Sequence, residues 1–236
     1  MTDSPAKRDV GVVIVAGGTS ARVGGKELKQ FRWVAGKPML LHSVQTFMAR
    51  PDVVSVVCVL PQQLAGDPPP WLFQCDVDRL MISVGAKTRQ GSVANGLDDL
   101  PDEAAIVLIH DAARPLVTTG TITRVIEAAR RDGAAIAALP VTDTVKEADE
   151  DGRIARTIER ARLWRAQTPQ GFRRDLIVRA HRDGAAARIN ATDDAALCER
   201  IGIPVTLVRG SERALKITEE SDFARAEALS GLADED

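Results

Sequence analysis

A chain of 236 residues, 44% of them hydrophobic and with a formal net charge of −2, is long enough to bury one substantial core. Lys and Arg (31) nearly balance Asp and Glu (33), which argues against a nucleic-acid partner. No apolar run approaches the ~20 residues that a membrane-spanning helix needs, so we expect no membrane partner and a cytoplasmic location.

Apolar runs alternate with helix-patterned stretches along the chain, which is typical of a parallel sheet with crossover helices. The predicted strands are residues 10–15, 53–60, 80–84, 105–109, 134–139 and 205–208. The predicted helices are 39–48 with Pro38 in its first turn, about 121–131 ended by Gly133, one capped by Thr192 with Asp193 and Asp194, and a last one capped by Thr218. We therefore expect one α/β domain over residues 1–236.

The three cysteines are Cys58, Cys75 and Cys198. They are odd in number, widely spaced and mostly in apolar surroundings. This pattern predicts reduced core thiols rather than a disulfide framework or a zinc site.

Residues 144–148 and 153–158 alternate around an Asp149-Glu150-Asp151-Gly152 turn, which predicts a β-hairpin. Its charged sides cannot be covered as a central strand pair would be, so we expect an arm, residues 143–160, that projects from the domain. An isolated hairpin is marginally stable. The arm therefore either folds back on the body or embraces a second subunit, and we favour the second alternative.

The run over residues 107–115 is apolar until it ends in Asp111, Ala112, Ala113, Arg114 and Pro115. A buried strand of this kind would deliver the Asp111 carboxylate to the edge of the sheet where ligands gather. A metal bound to phosphate needs such an oxygen ligand. Alternatively, Asp111 starts a turn and pairs with Arg114. The strand pattern alone leaves both interpretations open.

The loop after the first strand combines small residues with two cations. Its small residues are Ala16, Gly17, Gly18, Thr19 and Ser20, and its cations include Arg22 and Lys29. Backbone N–H groups can close around phosphate oxygens there, and the cations can neutralise the charge. The loop matches neither the P-loop nor the dinucleotide pattern. We favour phosphate binding over a flexible loop with incidental cations.

A second loop follows the third predicted strand. Thr88 can cap a helix whose first turn presents Arg89 and Ser92, just after Gly85 and Ala86. This rim could recognise the polar edge of a base. Taken alone, it fits an ordinary capped crossover helix better.

Together these segments resemble the 2-C-methyl-D-erythritol 4-phosphate cytidylyltransferases of the non-mevalonate isoprenoid pathway, over nearly the whole chain. The matching segments are Ala16-Gly17-Gly18 with Arg22, Lys29-Gln30, Arg89 with Ser92-Val93 and Gly96-Leu97, residues 107–115, Asp143-Thr144 with Lys146, Leu163-Trp164, Gln167-Thr168-Pro169-Gln170, Thr192-Asp193-Asp194-Ala195 and Lys216-Ile217-Thr218. The run around Asp111 and the Gln-Thr-Pro-Gln run are the most specific.

The resemblance implies a single Rossmann-like nucleotidyltransferase domain and a reaction without a general base. The substrate's own phosphate, largely dianionic near neutral pH, attacks the α-phosphorus of CTP and expels pyrophosphate. In this family pattern Arg22 and Lys29 stabilise charge at the phosphorus, while Arg160 and Lys216 hold the incoming phosphate. Without the resemblance, Arg160 and Lys216 would be interpreted as solvated surface cations.

The resemblance also implies the remaining site residues. Asp111 would ligate Mg²⁺. The CTP-binding set is Ala16, Gly17, Gly18, Thr19, Ser20, Gly85, Ala86, Arg89 and Ser92, and the polyol phosphate set is Asp111, Arg114, Thr144, Arg160, Thr192 and Lys216. Because the family's hairpin reaches the neighbouring subunit's site, the active form would be a homodimer through the arm.

Three positions depart from the family pattern, namely Leu28, Ala86 and Ala214, and none removes a charge that the chemistry needs. Two alternatives to the implied activity remain. One is a cytidylyltransferase for another polyol phosphate, such as ribitol 5-phosphate. The other is a catalytically silent sensor that binds CTP.

Overall fold

The computed structural model describes residues 7–18 and 28–232. Within these ranges the strands are β1 (Val10–Val15), β2 (Trp33–Val34), β3 (Lys37–Pro38), β4 (Val53–Leu60), β5 (Leu80–Val84), β6 (Ile106–Asp111), β7 (Ala134–Pro140), β8 (Val145–Ala148), β9 (Ile154–Ile158), β10 (Trp164–Arg173) and β11 (Thr206–Arg209). The α-helices are α1 (Met39–Met48), α2 (Gln62–Ala65), α3 (Arg89–Asp98), α4 (Thr119–Asp132), α5 (Arg174–Ala186), α6 (Asp194–Arg200) and α7 (Ser221–Ser230).

Seven strands form one sheet in the order β11-β7-β10-β6-β1-β4-β5. Every pairing is parallel except those of β10, which runs antiparallel to both β6 and β7. The expected α/β class with a mostly parallel sheet is confirmed. Because the parallel strands point the same way, β1, β5 and β6 deliver the loops that follow them to one edge of the sheet.

Helices cover both faces of the sheet, which explains why its central strands are continuous apolar runs. On one face, α1 and α4 contribute buried side chains such as Phe47 and Ile122 to a core with β1 and β4. On the other face, α3, α5 and α6 contribute Val93, Ile177 and Leu197. All six residues of β6 are buried, including its last, Asp111. Burial on both faces therefore fixes the strand that carries the acid.

Strands β1, β4 and β5 have the predicted bounds, β6 runs on to Asp111, and β7 and β11 differ from prediction by one residue. The omission of β10 and of the small β2-β3 hairpin was wrong. Strand β10 contains Gln167, Thr168, Pro169 and Gln170, which carry no strand pattern. Its polar groups are buried because their hydrogen-bond partners come from distant segments, and local sequence does not report those partners.

The helix ends were predicted with mixed success. Helix α1 has the predicted bounds, although Pro38 occupies the cap position just before it. Helix α4 starts two residues before its predicted start and ends at Asp132, where Gly133 forms the predicted stop with φ +92°. The prediction that Thr192 caps α6 was wrong, because the Asp193 side chain accepts the Ala196 N–H at 3.0 Å. The prediction that Thr218 caps α7 was also wrong, because Asp222 inside that helix accepts the Thr218 N–H at 2.8 Å.

The predicted hairpin is confirmed. Strands β8 and β9 pair with each other in a separate two-stranded sheet, and most of their residues are exposed. Gly152 in the connecting turn has φ +77°, a conformation that favours glycine. Trp164, at the start of β10, pairs with Pro140 at the end of β7, so the arm leaves and rejoins the sheet at neighbouring positions.

The three cysteines are free, and Cys58 and Cys198 are buried as predicted, whereas Cys75 is partly exposed. Burial raises the pKa of the Cys198 thiol to about 12. Among the described residues no helix combines the length and the hydropathy needed to cross a membrane.

Gly96 offers a test of how closely α3 packs on the sheet. A Cβ at this position would lie 2.5 Å from Val13 Cγ1 and 2.9 Å from Val59 Cγ2, both on rigid buried side chains. We expect Gly96→Ala to lower the free energy of unfolding by about 1 to 2 kcal/mol in urea titrations, since overpacking outweighs the gain in helix propensity. Gly66→Ala is the control, because a Cβ there meets no described residue within 4 Å and φ is −82°. Equal stability of the two variants would contradict close packing.

Candidate active site

The carboxylate of Asp111 lies at the centre of the site. Its Oδ1 accepts a hydrogen bond from Arg89 Nε at 3.1 Å, and its Oδ2 accepts one from Lys216 Nζ at 2.6 Å. Arg89 comes from the first turn of α3, and Lys216 from the segment before α7. Only 11% of the Asp111 side chain is exposed, against 28% for Arg89 and 44% for Lys216. Three segments distant in sequence thus meet in one partly buried ion cluster.

The ionised state of Asp111 depends on its two cationic neighbours, Arg89 and Lys216. Burial alone would raise the pKa of the Asp111 carboxyl, but the positive charges of Arg89 and Lys216 and the Lys216 hydrogen bond outweigh burial and hold that pKa well below its usual range. The same pairing, with Asp194 and Asp111, raises the pKa of Arg89 against the effect of burial. The Asp111 carboxylate and the Arg89 guanidinium are therefore both ionised at neutral pH.

Thr168 and His110 hold the backbone around Asp111 through a chain of hydrogen bonds. The Asp111 N–H donates to Thr168 Oγ1 at 3.0 Å, and that hydroxyl lies 3.1 Å from His110 Nδ1. On the other side of the ring, His110 Nε2 is 3.1 Å from the Arg114 carbonyl oxygen. Burial lowers the pKa of His110 to about 4, so the ring is neutral and can accept from Thr168 while donating to Arg114.

This geometry decides between the two interpretations of Asp111. A turn does follow, since the Arg114 N–H donates to the Asp111 carbonyl at 2.9 Å. The Asp111 carboxylate, however, bonds to Arg89 and Lys216, while the Arg114 guanidinium donates to the carbonyls of Ala214 (2.7 Å) and Ala166 (3.3 Å). The simple Asp111–Arg114 ion pair is therefore wrong. Arg114 instead ties the turn to the segment that carries Lys216.

Behind Arg89 lies a set of buried polar groups that the sequence did not reveal. Arg89 Nη1 donates to Asp194 Oδ2 at 2.7 Å, and Asp194 Oδ1 lies 3.0 Å from His181 Nε2. Gln170 Oε1 accepts the Asp194 and Ala195 N–H groups, both at 3.1 Å. The one signal is the Thr192-Asp193-Asp194 run, which the sequence analysis interprets as a helix cap and as part of the family match, without assigning a partner to Asp194. One acid does cap α6, and the other pairs with Arg89.

The two glycine-containing loops meet beside this cluster. A Cβ at Gly17 would lie 3.4 Å from Ser92 Oγ and 3.5 Å from Gly85 Cα, so the backbones are in close contact. Ser92 Oγ accepts the Ala86 N–H at 3.0 Å and bonds to the Thr88 carbonyl at 3.0 Å. Thr88 caps α3 through the Gly91 N–H, as predicted. A Cβ at Gly18 would meet no described residue within 4 Å.

The end of the first loop is joined to the Lys216 segment. Lys29 Nζ donates to the carbonyl of Ile217 at 2.7 Å. Gln30 Nε2 donates to the carbonyl of Ala16 at 2.6 Å. The expected phosphate-binding positions Thr19, Ser20 and Arg22 lie outside the described residues.

Among residues 7–18 and 28–232, three predicted site residues make no hydrogen bond to the cluster. Thr144 and Arg160 are exposed at the arm, where Arg160 donates to the Thr142 carbonyl. Thr192 is exposed just before Asp193. In the part of the chain that the structure describes, neither Thr144 nor Arg160 bonds to Asp111, Arg89 or Lys216. A single chain therefore assembles Asp111, Arg89, Lys216, Arg114 and Lys29, and leaves the arm residues apart.

A cavity of about 500 Å³ opens beside Lys216 and Arg114. Its walls carry four cationic side chains and one acid, together with apolar groups from α7. These residues include Arg114, Arg165, Lys216, Arg225, Glu212 and Leu229. The positive lining favours an anionic ligand at this end of the site.

A metal ion at this site would have one carboxylate ligand in the cluster, Asp111. Within residues 7–18 and 28–232, no group of three or more His, Cys, Asp or Glu side chains is arranged to hold a metal ion. A magnesium ion, however, commonly takes only one or two protein carboxylates and completes its shell with phosphate oxygens and water. The ionised Asp111 carboxylate fits that role. Its Oδ2 would be available to a metal ion once the hydrogen bond from Lys216 is released.

Comparison with known proteins identifies the family to which the chain belongs. The sequence model of the family described as IspD, 2-C-methyl-D-erythritol 4-phosphate cytidylyltransferase, matches residues 10–231. A 2-C-methyl-D-erythritol 4-phosphate cytidylyltransferase from Syntrophus aciditrophicus is 40% identical over 226 residues, covering 94% of this chain and 96% of the relative. The crystal structure of the enzyme of that name from Thermus thermophilus superposes with a TM-score of 0.80 at 36% identity, covering 95% of this chain and all of that one.

Some relatives are longer. A bifunctional enzyme IspD/IspF from Desulfotalea psychrophila is 39% identical over 217 residues, which cover 92% of this chain. The chain spans about half the length of that relative, 55%.

Proposed function

The chain belongs to the 2-C-methyl-D-erythritol 4-phosphate cytidylyltransferase family, and we propose that it transfers a cytidylyl group from CTP to 2-C-methyl-D-erythritol 4-phosphate, releasing pyrophosphate. The observation that carries the proposal is the Asp111–Arg89–Lys216 cluster at the carboxyl end of β6, beside the paired Gly17 and Gly85 loops. This is the edge of an α/β sheet where nucleotides bind.

The chemistry requires alignment and charge stabilisation more than proton transfer. The attacking group is a phosphate that is largely dianionic near pH 7, so it needs no general base. We assign CTP to Ala16, Gly17, Gly18, Thr19 and Ser20 on the first loop and to Gly85, Ala86, Arg89 and Ser92 on the second. Close contact between Gly17, Gly85 and Ser92 supports a shared binding rim.

Different cationic residues are assigned to the two phosphate groups that react. We assign Arg22 and Lys29 to the negative charge that grows at the α-phosphorus, and Lys216 with Arg160 to the incoming phosphate. The bond between Lys29 and the carbonyl of Ile217, next to Lys216, supports a common location for these two lysines. Arg114 and Thr192 complete the polyol phosphate site, and the positively charged cavity beside Arg114 and Lys216 supports that location.

We propose Asp111 as the protein ligand of Mg²⁺, with the remaining ligands from the triphosphate and water. When bound, the ion would neutralise triphosphate charge. The chain's own contribution is an acid kept ionised by Arg89 and Lys216, so that it presents a charged oxygen without depending on pH near neutrality.

We further propose that residues 1–236 form one nucleotidyltransferase domain, located in the cytoplasm, whose arm over 143–160 forms a homodimer. Thr144 and Arg160 are exposed on the arm and make no hydrogen bond to Asp111 among the described residues, which supports a site completed by the arm of a second subunit. The exposed, mutually paired strands β8 and β9 suit that role, since a lone hairpin is stabilised by packing on a partner.

Acceptor specificity is the direct test of the proposed activity. We expect magnesium-dependent pyrophosphate release from CTP with 2-C-methyl-D-erythritol 4-phosphate, and little release with ribitol 5-phosphate or without acceptor. A preference for ribitol 5-phosphate would retain the chemistry and change the substrate. Release with none of these acceptors would instead favour a CTP sensor.

We expect Lys29→Ala to depress kcat far more than the affinity for CTP. The charge that Lys29 meets grows in the transition state, so its loss costs little in the ground state. Steady-state kinetics and CTP titration calorimetry measure the two effects. Lys37→Ala is the control, since Lys37 bonds to Gln45 on the surface of α1 and is expected to leave both unchanged. An equal loss of turnover and affinity would remove this role from Lys29.

Deletion of residues 146–156 is expected to dissociate the dimer and abolish activity, measured by light scattering and pyrophosphate release.

Mixed dimers test sharing of the site directly. Arg160→Ala and Lys216→Ala should each be nearly inactive alone, and refolding them together should restore about one quarter of wild-type activity, because half of the random dimers then carry one intact site. An active monomer after the deletion, or a mixture without recovery, would contradict a shared site.

A further inference from the structure

His181 is a buried imidazole that the proposed chemistry does not use. It lies on α5, with 5% of its side chain exposed, and its Nε2 is 3.0 Å from Asp194 Oδ1. The other ring nitrogen, Nδ1, is buried and makes no hydrogen bond to any residue that the structure describes. Asp194 is itself buried, with 1% of its side chain exposed. A polar pair this deep in the core calls for a specific reason.

The hydrogen-bond pattern fixes the state of the ring. Asp194 Oδ2 accepts from Arg89, so its carboxylate carries the charge that balances a partly buried guanidinium. Asp194 Oδ1 then accepts from Nε2–H of His181. A second proton on Nδ1 would be a buried donor without an acceptor, which is costly. Because the carboxylate oxygen accepts, Nε2 carries the proton of this hydrogen bond, and His181 acts as a fixed donor to Asp194.

Each polar group of Asp194 has one assigned partner. The backbone N–H of Asp194 donates to Gln170 Oε1 at 3.1 Å, which anchors the first residue of α6. His181 holds Oδ1, and Arg89 takes Oδ2. With Oδ1 anchored to His181, the carboxylate cannot rotate without breaking a buried hydrogen bond. Its second oxygen therefore stays aimed at Arg89.

Arg89 in turn reaches the centre of the site. Its Nη1 is held by Asp194 while its Nε donates to Asp111 at 3.1 Å. The guanidinium is planar and rigid, so a fixed Nη1 also fixes Nε. Outer partners of this kind commonly change ligand affinity or activity by about 10-fold to 100-fold when removed.

We propose that His181 is a positioning residue which, through Asp194, holds the Arg89 guanidinium against the Asp111 carboxylate. His181 does not touch substrate. Its kinetic consequence rests on the proposed function, since Arg89 and Asp111 are assigned there to CTP and Mg²⁺. The structural consequence, an immobilised Arg89 side chain, is independent of any substrate.

Two substitutions separate the hydrogen bond from the volume. His181→Leu fills similar space without a donor, and His181→Gln retains an N–H donor near the place of Nε2. We expect His181→Leu to lower kcat/KM for CTP about tenfold, and His181→Gln to restore most of that loss. His42→Leu is the matched control, because His42 is a partly buried imidazole that bonds to the Val34 carbonyl at 2.6 Å, outside the site.

The decisive readout is the ¹⁵N NMR signal of Arg89 Nε–H in the nucleotide-free protein, assigned with Arg89→Lys. We expect slow exchange with water in the wild type, His181→Gln and His42→Leu, and fast exchange or loss of the signal in His181→Leu. Folding of each variant is checked by its melting temperature. If the wild type proves inactive with CTP, the proposed function fails while this measurement still decides the role of His181.

A folded His181→Leu with wild-type kcat/KM and an unchanged Arg89 signal would overturn the proposal. If His181→Leu does not fold, Asp194→Asn takes its place, since it keeps the side-chain size and removes the charge that holds Arg89. Fast exchange of the Arg89 signal in both Asp194→Asn and His181→Gln would also overturn the proposal, because the donor would then not be what matters. Slow exchange in His181→Gln with fast exchange in Asp194→Asn would support it.

Discussion

The structure depends on one buried negative charge, that of Asp111. An ionised carboxylate at the end of a strand buried on both faces is costly unless cations and hydrogen bonds compensate it. Arg89 and Lys216 supply the cations, and each must come from a segment far away in the chain. The carboxyl end of β6, the first turn of α3 and the segment before α7 are therefore tied together by electrostatics at the same point where the topology would place a ligand.

Strand β10 makes this arrangement possible. By entering antiparallel between β6 and β7, it brings Thr168 under the backbone of Asp111 and Gln170 under the start of α6. A purely parallel insertion would need another crossover connection and would orient these groups differently. The polar run that interrupts the apolar pattern of the chain is thus the run that satisfies the buried backbone groups around the acid.

The sequence predicts the parts of the fold that depend on local pattern. Strands β1, β4 and β5 follow from continuous apolar runs, and the arm follows from alternation around Asp-Gly. Strand β10 cannot be predicted in this way. Its polar residues are accommodated in a buried strand because they form hydrogen bonds with β6, α6 and the loop after β11. Thr192 and Asp193 both suit a cap, and only the backbone at Asp193 decides between them.

For the site, the sequence identifies Asp111, Lys216 and Arg89 as residues of interest, largely through the family resemblance. It does not show that the three touch, because a salt bridge between positions 111 and 216 has no local signal. Asp194 and His181 are hidden for the same reason. One looks like a helix cap, and the other looks like an ordinary residue on the inner face of α5.

The two cations that bind Asp111 are not equivalent, because Arg89 is held more firmly than Lys216. Arg89 bonds to two carboxylates and has 28% of its side chain exposed, whereas Lys216 bonds to one and has 44% exposed. A lysine is also a flexible point charge, while the guanidinium is held in a plane by several bonds. Lys216 is therefore the more weakly held of the two partners, and its departure would expose Asp111 Oδ2 while Arg89 still compensated the charge of the acid.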